Sequence, residues 1–166
     1  MARGPGLVPD GDIFYTRFEP KVKFRFILYI AGIASYLIHS TSRPSPSAET
    51  ITIEHINTKF KLNGKWDWNT LNITMYDPVS PSGAQQVMEW VRQAHESVTG
   101  RDGYQDQYKK DIELKMLGPA GDIVESWTIK GAFLSEVGFG DLAWADGAAP
   151  AEITGVLTYD YAILEF

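Results

Sequence analysis

Apolar and polar residues alternate with a period of two along most of this chain. Val22, Phe24, Phe26 and Leu28 interleave with Lys21, Lys23 and Arg25, and Ile51 and Ile53 interleave with Thr50, Thr52 and Glu54. Leu71, Ile73 and Met75 continue the pattern to Tyr76, and Ile112, Leu114 and Met116 alternate with Asp111, Glu113 and Lys115. The last run sets Leu157, Tyr159, Tyr161 and Ile163 against Val156, Thr158, Asp160 and Ala162. Successive side chains of a strand point to opposite faces, so each run reads as a β-strand with one buried face. Further strands are expected at 123–133 and 137–144. Asn63-Gly64 is expected to close a hairpin between 60–62 and 65–68, because that pair tolerates positive φ. Pro44 and Pro46 mark 40–47 as a loop.

Only one segment has helical spacing. Ser82 with Gln85 forms a capping box, and Val87, Met88, Val91, Ala94 and Val98 then recur on one face, with Trp90 beside them and Gly100 at the end. The expected fold is mainly β: an antiparallel sandwich or barrel with one packed α-helix. There is no internal repeat. With 166 residues, 44% of them apolar, the chain fills one core and not two. Residues 1–20, with Gly4, Pro5, Gly6 and Pro9, read as an arm that docks through Phe14, Tyr15 and Phe18; residues 21–166 form the β domain.

Chemistry is sparse. With no cysteine, thiolate catalysis, disulfides and iron–sulfur ligation are excluded. His39, His55 and His95 lack ligand spacing, and Asp102, Asp106 and Asp111 lack the pattern of a calcium loop, so no metal or cofactor is expected. No nucleophile elbow or P-loop is present, which argues against an enzyme. A net charge of −6 argues against tight binding to nucleic acid. The uncharged run 26–38 is too short for a membrane helix, and residues 1–20 carry no apolar core of a secretion signal.

Several segments in order resemble the tail tube proteins of contractile-tailed bacteriophages, relatives of the type VI secretion tube. These are Trp66-Asp67-Trp68, Thr74-Met75-Tyr76-Asp77, Met88-Glu89-Trp90, Tyr108-Lys109-Lys110-Asp111, Trp127 to Phe133 around Lys130-Gly131, Leu142-Ala143-Trp144, and Leu157 to Tyr161. The resemblance runs from about residue 20 to 166; the arm and the stretch 31–47 depart from it. It implies a ring-forming structural subunit: a homo-hexamer stacked into a hollow tube, with a contractile sheath outside, baseplate and tail-terminator proteins at the ends, and phage DNA passing without specific binding. Phe14, Tyr15, Phe18, Ile38 and Arg43 are the candidate contacts between rings. Glu49, Glu54, Asp67, Glu152 and Asp160 are candidate carboxylates facing the lumen, where six copies at −6 give a ring of about −36 that repels phosphate. The readings left beside it are a tube initiator at the baseplate, the tube of an injection device and, from another class, a monomeric β-barrel binding a small ligand among its tryptophans.

Overall fold

The computed structural model describes residues 19–165. Nine strands, β1 (Phe26–Ile30), β2 (Ile38–Thr41), β3 (Pro46–His55), β4 (Thr58–Trp68), β5 (Leu71–Tyr76), β6 (Lys110–Leu117), β7 (Ile123–Gly138), β8 (Glu152–Thr158) and β9 (Tyr161–Leu164), accompany the helix α1 (Gly83–Ala94) and the single turn α2 (Gln105–Tyr108). Seven strands form one open antiparallel sheet in the order β1-β6-β7-β8-β5-β2, with β9 also paired to β7. β3 and β4 form a separate hairpin.

The long strand β7 makes one sheet serve as two layers. Its first half pairs with β6 on one side and β9 on the other; its second half pairs with β8. The change of partner falls around Gly131, whose φ of +66° no β-branched residue would hold cheaply. The sheet folds over at this point, so Leu28, Ile112, Leu114 and Ile129 of one half pack against Leu71, Ile73, Met75 and Leu157 of the other. Helix α1 adds Val87 and Trp90 to this core. Ser82 accepts a hydrogen bond from the Gln85 backbone N–H at 3.4 Å, the N-cap that the capping box calls for.

The mainly β fold with one packed helix is as expected, but some elements differ. Alternation at 22–25 is not strand: residues 23 and 24 turn, and Phe24 is exposed. The uncharged run 26–38 divides into β1, a 3₁₀ turn at Ser35–Leu37 and the start of β2. No helix among the described residues is long and apolar enough to cross a membrane. Helix α1 stops at Ala94 because His95 and Glu96 turn into a short antiparallel contact with Asp102 and Arg101, which leaves Val98 in solvent. The strand expected at 123–133 continues to Gly138, and 139–143 is not strand. The final run breaks at Tyr159–Asp160 into β8 and β9, which lie end to end along β7.

Asn63-Gly64 is not the hairpin turn. The turn is Ile56-Asn57, with Ile56 in the left-handed region at φ 48°, where a β-branched residue is strained. Asn63-Gly64 lies inside β4 at a bulge, where the register slips between Ala48 and Thr50. A Cβ on Gly64 would meet the Glu49 carbonyl oxygen at 2.9 Å, so the glycine is needed for the close approach of the two backbones.

Candidate assembly interface

Hairpin β3–β4 is amphipathic. Ile51 stands opposite Leu62 and Ile53 opposite Phe60, so four large apolar side chains share one face. Thr50, Thr52 and Glu54 pair with Asn63, Lys61 and Lys59 on the other face, where Lys59 and Glu54 form an ion pair at 3.0 Å. Among the described residues only the base is anchored: the Trp68 ring lies 5.9 Å from that of Tyr159, and the Asn69 N–H donates to the Ser45 carbonyl at 3.0 Å. Ile51, Ile53, Phe60 and Leu62 remain 42–60% exposed. A two-stranded ribbon is marginal alone in water, and a contiguous apolar face of this kind marks a contact surface.

The sheet borders are a second unpaired resource. β1 and β2 end the strand order, and among the described residues each has a neighbour along one side only in the sheet. Such borders present free N–H and C=O groups that template pairing with another chain.

The residues expected between rings are scattered. Phe14, Tyr15 and Phe18 lie outside the described residues. Ile38 is a correction as far as its side chain goes: it pairs with Met75 and is 7% exposed, so that side chain packs in the chain's own core. Arg43 is exposed and sits 3.5 Å from Glu125.

Glu125 was not singled out by the sequence. It lies on the core face of β7, where a charge must be paired to be tolerated. Three groups reach it: the Lys21 ammonium, the Arg43 guanidinium, and the Trp127 indole N–H, which donates at 2.5 Å. Burial pushes the Glu125 carboxyl up; hydrogen bonds from Lys21 and Trp127 and the charges of Lys21 and Arg43 outweigh it and hold the group below the usual carboxylate range. A depressed carboxyl contributes stability that is present above its unfolded value and lost as pH falls through the folded value. Glu125→Gln is therefore expected to lower stability at neutral pH by about 1–2 kcal/mol. The gap between variant and parent narrows toward about pH 3. Thermal melts at both pH values check this, and a pH-independent gap contradicts it.

The five candidate lumen carboxylates do not gather in one place. Glu49, Glu54 and Asp67 are on the hairpin, Glu152 opens β8, and Asp160 sits at the β8–β9 break. Glu54 is paired with Lys59, Glu152 lies 3.3 Å from His39, and Lys109 holds Asp160 at 2.9 Å. Glu49 and Asp67 make no ion pair among the described residues. The tryptophans scatter too. Trp90 is buried and donates to the Tyr108 carbonyl at 2.7 Å, Trp68 and Trp127 pack against the core, and Trp66 and Trp144 are exposed.

The sequence profile of the T4-like virus tail tube protein gp19 matches residues 22–162. The chain belongs to this family. The family is one of structural tube proteins, as the resemblance implied. No match is found among the curated proteins. The tail tube fold recurs in solved structures at low identity. A chain of the PVC sheath–tube complex of an extracellular contractile injection system superposes with a TM-score of 0.70 at 18% identity, covering 96% of this chain and 99% of that one. A chain from the PVC sheath/tube terminator gives 0.72 at 19%, covering 90% and 99%. Hcp1 from Flavobacterium johnsoniae gives 0.53 at 14%, covering 86% and 95%.

Proposed function

We propose that this tail tube protein is the repeating subunit of a hollow tail tube in a phage virion. Six copies close into a ring, rings stack inside a contractile sheath, and the channel carries DNA toward the host. Baseplate and terminator proteins hold the ends. The observation that carries this reading is the β3–β4 hairpin, whose apolar face has no partner among the described residues. Its neighbours in the assembly would be copies of itself, and heterologous contacts of that kind close by rotation or continue along an axis. The free borders of β1 and β2 support the same reading, since edge-to-edge pairing around a ring closes both borders of the main strand order.

The arm, residues 1–20, with Phe14, Tyr15 and Phe18, is assigned to contacts between rings, together with Arg43. Glu49 and Asp67 are the stronger candidates for lumen charge, because Glu54 and Asp160 already have a lysine beside them and Glu152 a histidine. An acidic channel repels phosphate and lets DNA slide. An image of the assembled particle at side-chain resolution checks both assignments; carboxylates turned away from the channel sink the second.

Native mass spectrometry of the purified chain tests the reading. Six-copy species and their multiples are expected. A strict monomer that retains a small molecule would instead favour a ligand-binding barrel. A tube initiator or injection-device tube would also form six-copy rings. Copy number per particle separates the initiator, which is scarce where the tube subunit is abundant.

A further inference from the structure

Among the described residues Glu125 is the one buried acid, and both cations that reach it come from outside the sheet. Glu125 lies on β7, paired with Met116 of β6, so its backbone is fixed on both sides of the strand order. Lys21 belongs to the stretch 19–24 that precedes β1, directly after the arm. Arg43 belongs to the loop 42–45 between β2 and β3. The two segments meet: Lys23 and Arg43 line one cleft with Phe26 and Thr41, in the gap between β1 and β2.

Little else holds the root of the arm. Residues 19–24 belong to no strand or helix, and among the described residues the Lys21 bond to Glu125 is the only side-chain hydrogen bond they make. Their backbone is tied at Arg25, whose carbonyl accepts from the Leu117 N–H at 2.9 Å. Glu19, Pro20 and Val22 share a shallow groove with Leu117, Pro119 and Val124. Lys21 therefore bends inward: its side chain is 47% exposed, while the carboxylate it meets is 6% exposed. That carboxylate cannot follow a moving lysine, because the Trp127 indole N–H holds it from the same strand at 2.5 Å and Trp127 itself packs against the core. A charge-assisted bond to a fixed, buried acceptor is a strong tie, and breaking it leaves a buried charge short of a partner.

We infer that Glu125 is a positioning residue for assembly: it pins the root of the arm through Lys21 and the 42–45 loop through Arg43, so that both leave the domain in a set direction. The inference rests on the assignment of the arm and Arg43 to contacts between rings, and names the group inside the domain that aims them. An arm already pinned at its root loses less conformational freedom when it docks.

Sedimentation velocity of the full-length chain at neutral pH tests the anchor. Phe14→Ala with Phe18→Ala removes aromatic contacts of the arm and sets the scale of its contribution. Lys21→Ala is expected to weaken ring-to-ring association about tenfold, with six-copy rings retained and a melting temperature within about 4 °C of the parent. Lys21→Arg keeps a cation in reach of Glu125 and is expected to restore association. Glu125→Gln is expected to match Lys21→Ala, and the two together to lose no more than either alone, since each removes the same contact. Parental association in Lys21→Ala, where the arm double variant is impaired, overturns the inference and leaves the arm's role standing. Parental association in the arm double variant overturns both. Additive losses from Lys21→Ala and Glu125→Gln, or loss of the rings themselves, also overturn the inference, because an anchor for the arm acts through one contact and leaves the ring closed.

Discussion

Ile53→Asp together with Phe60→Asp is expected to abolish assembly while leaving the subunit folded. Both side chains point into solvent from the hairpin's apolar face and touch nothing in the core. The hairpin is held at its base by Trp68 and Asn69, which the change does not reach. Burying a large apolar side chain yields about 1.5–3 kcal/mol, and burying an unpaired carboxylate in its place costs more than that. Every copy in a repeating structure pays the penalty, so even a modest loss per contact empties the polymer. Circular dichroism melts should coincide with the parent, and sedimentation velocity should show only small species. Fast-sedimenting material in the variant would mean that the hairpin face is not an assembly surface.

Gly131→Ala is expected to destabilise the fold by about 1–3 kcal/mol. Two costs add. The residue sits at φ +66°, and a Cβ there would lie 2.1 Å from the Asp160 carboxylate, which cannot simply swing aside because Lys109 holds it at 2.9 and 3.0 Å. In a chain of this size each kcal/mol lowers the melting temperature by roughly 2–4 °C. Adding Asp160→Ala removes the collision and keeps the backbone strain, so the double variant should recover part of the loss. A single variant that melts with the parent would show that β7 can change partners without its glycine.

Periodicity was legible wherever one face of a strand is buried and the other wet. β5 and β6 alternate cleanly, and Leu71, Ile73, Ile112 and Leu114 are core residues. The helix start was legible because a cap is a local device. What escaped depends on distant partners. The hairpin turn went to Asn63-Gly64 on local preference, but the packing of Trp68 and the pairing of Pro46 with Trp68 set a register that puts Ile56-Asn57 at the tip. Glu125 was invisible as a site because its cations come from Lys21 and Arg43, 104 and 82 residues away. Strand β7 reads as two because Ser135 and Glu136 interrupt its apolar pattern between 133 and 137, although its two halves answer to different neighbours along one continuous strand. Ile38 looked available because an apolar residue beside a loop reads the same whether it faces a core or a partner.

Electron microscopy of the purified chain at high concentration tests most directly whether these unpaired surfaces exist for sister copies. Hollow tubes of sixfold symmetry, with each hairpin seated on a neighbour and no sheet border left open, are the predicted result. A monodisperse monomer with its hairpin folded back over its own sheet would contradict it.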